Sequence, residues 1–140
     1  MFYLDASVVV ATLVPEEGTG RVQGWLHAQA AGQISISNWV ETEVSSALSM
    51  KTRLGHISAD DRARILGRFN TLVREVWDLV DVRGSHFRNA GRFCDNHELS
   101  LRAGDALHLA IASGHGLTVC TLDRRLAEAG PKLGIPALLI

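Results

Sequence analysis

The sequence predicts an α/β fold of three layers, a short parallel central sheet flanked by helices. Three observations carry that expectation. Short apolar runs alternate with longer segments whose apolar residues recur at helical spacing. Strand–helix alternation of this kind belongs to parallel sheets, whose crossovers lay helices over the faces. Two of the runs, Met1–Leu4 and Leu117–Leu122, lead straight into an aspartate, Asp5 and Asp123, and then into a helical segment. Ligands of open α/β sheets bind outside the carboxyl ends of the strands, so these two acids mark one sheet edge as a candidate site.

The chain has 140 residues, which suits one domain over 1–140 with one core. At 46% hydrophobic and 21% charged it has the composition of a globular protein, not of a disordered one. No run of about 18 apolar residues occurs, so no membrane span is expected. Met1–Val14 is apolar but lacks a basic start and carries Asp5, which argues against a signal peptide. Cys94 and Cys120 sit among apolar residues and read as reduced core thiols, consistent with a cytoplasmic protein. A net charge of −1 neither implies nor excludes nucleic acid, since a basic patch can exist on a neutral protein.

The elements follow in order. Met1–Leu4 is too short and apolar for a lone helix and reads as a buried strand. Ala6–Leu13 is a short helix stopped by Pro15, and Glu16–Gly18 is a loop. Gly20–Ala31 is amphipathic through Val22, Trp25, Leu26 and Ala30 and ends near Gly32. Ile34–Ile36 is a second strand. Ser37 and Asn38 open a helix to about Arg53 with Val40, Val44, Ala47 and Leu48 on its apolar face. Ser58 caps the next helix, with Asp60 and Asp61 in the first turn, where the helix dipole favours negative charge. Its stripe is Ile65, Leu66, Phe69, Leu72, Val73 and Val76. Leu79–Val82 is the third strand. Gly84–Asn96 is a helix with Phe87, Ala90, Phe93 and Cys94 inward, and Arg102–Ser113 is another, ended by Gly114 and Gly116. The strand to Leu122, a short helix Asp123–Ala129 and a last strand Ala137–Ile140 complete the chain. The helical excursion over 38–76 is the one departure from simple alternation.

Four acids stand beside apolar residues: Asp5 and Asp123 at strand ends, Asp105 at the start of an apolar helix, and Glu43 within Thr42–Leu48. A buried carboxylate needs donors, a counter-charge or a metal. Several together repel one another, and Mg²⁺ or Mn²⁺, which take hard oxygen ligands, relieves that repulsion. Each acid also has a purely structural role open to it. Asp5 and Asp123 can cap the helices that follow, Asp105 can face the dipole of a first turn, and Glu43 can be a solvated helix residue. Glu41 is a separate matter. With Asn38 as N-cap it stands at N3, the partner position of a capping box. Two residues on is about 200° around the helix, so Glu43 faces elsewhere and is assigned to the site.

With these residues in view, the chain resembles the PIN-domain nucleases, and most closely the toxin ribonucleases of VapC type from toxin–antitoxin pairs. The resemblance spans essentially the whole chain. It rests on Tyr3-Leu4-Asp5-Ala6-Ser7, Thr42–Leu48, Ala103–Ala110 and Thr121–Leu126, which form a specific signal only together and in that order. It implies a PIN-like domain and a metal-dependent endoribonuclease whose acidic cluster is Asp5, Glu43, Asp105 and Asp123, with Ser7 and Thr121 as supporting polar residues. The chemistry agrees: phosphodiester hydrolysis needs an activated water and stabilised charge on phosphate, and carboxylate-held Mg²⁺ or Mn²⁺ supplies both. Asp5 and Asp105 are expected as direct ligands, with Asp123 and Glu43 as ligands to the metal directly, through water or at a second ion. The resemblance also implies an RNA substrate, an antitoxin partner and a homodimer.

Other residues carry less. None of the six histidines pairs at zinc-like spacing with another His or Cys; His108 follows Asp105 at i+3, which brings it within reach of the site, and reads more readily as a packed helix residue than as a ligand. Arg102, Arg124 and Arg125 flank the acids and are candidates for RNA phosphates, against the alternative of plain solvation. Lys51, Arg53, Arg62, Arg64 and Arg68 read as a solvated face, and Trp25, Trp39 and Trp77 as core or interface. The excursion is either a core helix pair or the wall of an open groove for an antitoxin segment. Two rival functions remain. A phosphatase-type hydrolase with Asp5 as nucleophile would want a second acid where Ser7 stands. A non-catalytic RNA- or protein-binding module keeping the fold would not need four like charges.

Overall fold

A computed structural model describes residues 1–140. Five parallel strands form one sheet: β1 (Phe2–Leu4), β2 (Ile34–Ser37), β3 (Asp78–Val80), β4 (Thr118–Thr121) and β5 (Ala137–Leu139), in the order β3-β2-β1-β4-β5. Seven helices join and cover them: α1 (Ala6–Leu13), α2 (Thr19–His27), α3 (Asn38–Arg53), α4 (Ala59–Glu75), α5 (Gly84–Asp95), α6 (Ala103–His115) and α7 (Arg124–Lys132), with a 3₁₀ turn at His97–Leu99. This is the three-layer α/β/α arrangement with a short parallel sheet that the alternation predicted.

The central strands owe their place to their apolarity. Tyr3, Leu4, Val119 and Cys120 are fully buried and belong to a core of 30 buried residues, and Thr121 is fully buried beside them. Register decides what happens at the edge. Leu4 of β1 pairs with Cys120 of β4, so Asp5 emerges beside Thr121, with Asp123 two residues further on. The order reverses between these strands, because the chain goes from β1 to β2 on one side and reaches β4 on the other. That switch point is where a crevice opens in doubly wound sheets.

Several boundaries differ from expectation, each for a local reason. The second helix is shorter, Thr19–His27, because the chain turns at Ala28 and passes through Gly32 at φ 75° before β2. The third strand is Asp78–Val80 and the fourth and fifth are also trimmed at their ends. The last helix extends through Pro131 to Lys132, although Pro131 has no N–H to give to the carbonyl one turn back, and the helix ends one residue after it. Ser37, not Asn38, is the N-cap of α3, and it makes no capping bond because its hydroxyl is drawn inward to Tyr3 Oη at 2.8 Å. Glu41 therefore forms no capping box. Its carboxylate accepts from Asn38 Nδ2 at 2.8 Å. Ser58 does cap α4, in a reciprocal box with Asp61.

In the excursion, Val40, Val44 and Leu48 of α3 and Ile65 and Phe69 of α4 are buried, as in a core helix pair, while Leu66, Leu72 and Val73 are half-buried and Ile65 and Leu72 also border surface pockets. Val76, predicted on the stripe, is 55% exposed beyond the helix end. Phe87 is also 55% exposed, and His86 takes the inward place expected for it. His86 can be buried because Nδ1 accepts the Arg83 N–H at 3.1 Å and Gly114 of α6 leaves room for the ring. A Cβ at position 114 would stand 2.5 Å from His86 Nε2. Both cysteines are free thiols, Cys120 buried and Cys94 half-buried.

Candidate active site

Asp5 is 5% exposed and is built into the junction of β1 and α1. As N-cap of α1 it accepts the Val8 N–H at 3.1 Å through Oδ1, which also takes the Ser7 hydroxyl at 2.6 Å. Its Oδ2 takes the Thr121 hydroxyl at 2.6 Å. Ser7 in turn accepts the Leu122 N–H across the strand pair at 3.0 Å, and Thr121 accepts the Asp123 N–H two residues on at 2.9 Å. The two polar residues singled out in the sequence thus lock the ends of β1 and β4 around one carboxylate. Capping and site geometry coincide in Asp5, because the crossover helix starts where the strand ends.

Asp123 caps α7, accepting the Arg125 N–H at 2.8 Å, with the Arg125 guanidinium 3.4 Å away. Partial burial opposes its charge, but the Arg125 and Leu126 N–H groups and the Arg125 guanidinium outweigh it and hold the carboxyl below its usual range. Asp105 stands in the first turn of α6, where Oδ2 faces the Arg102 N–H at 3.4 Å. Burial pushes its carboxyl up, and the neighbouring charge of Asp123 pushes the same way, against the Arg102 N–H, His108 and Arg125. The charge of Asp123, at the head of α7, thus reaches Asp105 at the head of α6.

Glu43 projects from the second turn of α3 toward α6. Its Oε2 lies 2.7 Å from His108 Nε2, in contact but without hydrogen-bond alignment, so that oxygen is buried and lacks a hydrogen bond. Its Oε1 packs over Gly104, where a Cβ would approach to 3.2 Å. His108 is 3% exposed, and its Nδ1 lies 3.0 Å from Tyr3 Oη. The i, i+3 spacing from Asp105 puts His108 within reach of the site, with helix packing as the preferred reading; Tyr3 and Gly104 have no separate role in the sequence.

An open cleft of about 770 Å³ includes Ser7, Glu43 and Leu122 together with Glu16, Arg53 and Arg102 in its lining. Arg102 and Arg124 are exposed, as a phosphate contact requires, while Arg125 is engaged by Asp123. Arg53 reaches the cleft too, although its sequence context reads as a solvated face. Lys51 is held in an ion pair by Glu16.

The four acids fit a hard cation in chemistry: every donor is a carboxylate oxygen. No three His, Cys, Asp or Glu side chains are grouped tightly enough to enclose an ion by themselves. Mg²⁺ is commonly bound by one or two carboxylates and keeps several waters, so it does not require three such side chains in contact. Asp5 uses three of its roughly four acceptor positions on Val8, Ser7 and Thr121, which leaves one. The buried Oε2 of Glu43 lacks a hydrogen-bond partner.

A doubly wound parallel sheet with acids at the carboxyl ends of its central strands defines the class, an α/β/α domain with an acidic edge. The PIN domain family model matches residues 2–131, and the chain belongs to that family. Ribonuclease VapC3 of Pyrobaculum aerophilum is 28% identical over 137 residues, 95% of this chain and 97% of that protein. FitAcB from Neisseria gonorrhoeae superposes with a TM-score of 0.74 at 18% identity, over 99% of this chain and 96% of its own. VapC20 of Mycobacterium tuberculosis, a sarcin–ricin-loop-cleaving toxin, does so with a TM-score of 0.74 at 16% identity, over 93% and 95%. VapBC2 from Rickettsia felis, solved with a fragment of its promoter DNA, gives 0.68 at 16% identity, over 100% and 99%. At these identities the structural matches speak for the fold. The family expected from the four motifs is the family found.

Proposed function

We propose that this chain is a Mg²⁺- or Mn²⁺-dependent endoribonuclease, the toxin of a toxin–antitoxin pair acting in the cytoplasm, with Asp5, Glu43, Asp105 and Asp123 as its acidic site. One observation supports the reading most: Asp5, buried and held by Thr121 and Ser7, stands where β1 and β4 end, with Asp123 two residues beyond Thr121 and the charge of Asp123 felt by Asp105. Membership of the PIN domain family and likeness to ribonuclease VapC3 support the substrate class.

In this reading Asp5 and Asp105 hold the ion directly, and Asp123 and Glu43 act directly, through water or at a second ion. The bound ion supplies an activated water and charge stabilisation at the scissile phosphate. The protein's own work is positional. Ser7, Thr121 and the Val8 N–H fix both oxygens of Asp5, so no rotamer is lost on binding. Arg125 offsets the charge of Asp123, which suits that acid to contact through water. Arg102 at the cleft and Arg124 nearby meet backbone phosphates, which positions RNA without reading its bases. The protein partner is an antitoxin, and the chain is a homodimer. The exposed Phe87, beside Trp39, Ala90, Cys94 and Leu107 in an apolar groove of about 290 Å³, is the kind of surface such partners cover. Light scattering of the purified chain checks the dimer, which requires twice the chain mass.

The test of catalysis is expression of the chain without a partner, beside an Asp5→Asn, Asp105→Asn double variant, with new RNA 5′ ends mapped across the transcriptome. Discrete new ends and growth arrest are expected, both absent in the variant. Soluble folded protein with no new ends would replace the nuclease by a binding module that keeps the fold.

A further inference from the structure

The contact between α3 and α6 beneath the acidic edge has more design than packing requires. Four polar side chains from four elements form one line: Ser37 Oγ to Tyr3 Oη at 2.8 Å, Tyr3 Oη to His108 Nδ1 at 3.0 Å, and His108 Nε2 to Glu43 Oε2 at 2.7 Å. Ser37, Tyr3 and His108 are all buried, and Glu43 alone reaches the cleft. We propose that His108 is a positioning residue for Glu43: its Nε2 lies 2.7 Å from Oε2, and a small rotation of either side chain turns that contact into an Nε2–H to Oε2 bond that holds the carboxylate against Gly104 with one fixed face toward the cleft.

The tautomer follows from the neighbours. A phenol has one proton to donate. If Tyr3 donates to Nδ1, the proton of a neutral imidazole sits on Nε2 and faces the carboxylate. The reverse tautomer would leave an unprotonated Nε2 at 2.7 Å from a carboxylate oxygen, lone pairs near lone pairs, which is repulsive. Which ring nitrogen carries the proton is set by the bond the other makes. Burial raises the Tyr3 pKa well above the usual phenol range, so the phenol keeps its proton as donor. Ser37 completes the line by donating to Tyr3, and this is why it fails to cap α3. The other side of Glu43 is set by Gly104, since a Cβ there would come within 3.2 Å of Oε1 and 3.8 Å of the Trp39 ring.

The assignment rests on the nuclease reading for its kinetic consequence but not for its structural one, so the test has two arms. In the first, long-range ¹H–¹⁵N NMR of the wild type reads the His108 ring. A protonated Nε2 with bare Nδ1 is expected, and Tyr3→Phe should weaken that preference. A ring protonated only on Nδ1 overturns the proposal, and a doubly protonated ring overturns the part given to Tyr3. In the second, RNA cleavage is compared for His108→Gln, whose amide N–H reaches near the Nε2 position, and His108→Leu, both checked for an unchanged fold by melting. Loss of such an outer contact typically costs about 10- to 100-fold in activity. His108→Leu should lose that in kcat with KM for RNA unchanged, His108→Gln should recover most of it, and His108→Leu should cost nothing further in a Glu43→Gln background. An unchanged rate in folded His108→Leu, or a full loss added to Glu43→Gln, overturns the proposal. If the wild type cuts no RNA, the nuclease reading fails and the ring's protonation still decides the assignment.

Discussion

At the scale of single residues, the acidic edge depends on hydroxyl groups as much as on carboxylates. Thr121 is fully buried, donates to Asp5 Oδ2 at 2.6 Å and accepts the Asp123 N–H at 2.9 Å. Thr121→Val keeps the shape and removes both bonds. It leaves a buried charge short of a donor and a backbone N–H without an acceptor. Unsatisfied buried polar groups cost about 1–3 kcal/mol each, so Thr121→Val should lose about that much stability. Urea unfolding measures it, and an unchanged midpoint would mean that solvent reaches the Asp5 carboxylate. Thr121→Ser, which keeps the hydroxyl, should recover most of the loss.

At the scale of elements, the fit of α7 against β5 turns on a missing side chain. A Cβ on Gly130 would lie 2.7 Å from Ala137 Cβ, 2.9 Å from the Ile135 carbonyl oxygen and 3.3 Å from Leu109 Cδ2. Two propensities compete there. In an exposed helix, alanine in place of glycine gains about 1 kcal/mol. Overpacking a close contact costs about 1–3 kcal/mol, and here one of the contacted atoms belongs to the backbone, which cannot swing aside. Gly130→Ala should therefore destabilise the protein, with a lower melting temperature. A stabilised variant would show that β5, at the sheet edge, yields easily. Gly67 of α4 is the control, since nothing lies within 4 Å of a Cβ there and Gly67→Ala should stabilise.

At the scale of the whole molecule, the packing of α5 on α6 couples stability to pH. His86 is buried at that contact, with the His115 ring centroid 5.5 Å away and Arg83 at the head of the same helix. Burial depresses its pKa below 6.5, and His115 and Arg83 add to that. A group with a lowered folded pKa contributes its stability in full above the unfolded value and loses it as pH falls through the folded value. Melting temperature should therefore decline as pH drops below about 6.5, the ordinary histidine value. His86→Gln keeps an acceptor for the Arg83 N–H, in the manner of a capping box, and cannot titrate. It should flatten the decline, measured by calorimetry from pH 7 to pH 5. An identical decline in both proteins would place the acid sensitivity elsewhere.

Sequence alone determined the strand–helix alternation, the parallel sheet, the cap at Ser58 and the four acids, because each is written in local spacing: a short apolar run, a stripe, an acid where a strand ends. It also carried the family, since four motifs in order survive without coordinates. The dual duty of Asp5 and Asp123 as caps and edge acids was legible as two alternatives and is resolved by register, which sets Leu4 against Cys120. Only the tertiary structure decided the rest. Ser37 displaced Asn38 as the end of α3 because its hydroxyl was taken by Tyr3, a partner 34 residues away. His86 displaced Phe87 from the α5–α6 contact because Gly114 left room for a ring. His108 became the neighbour of Glu43 because α3 and α6 meet beneath the sheet edge. Periodicity fixes which face of a helix is apolar, but the choice among residues on that face depends on what the opposing element brings, and opposing elements lie far apart in the chain.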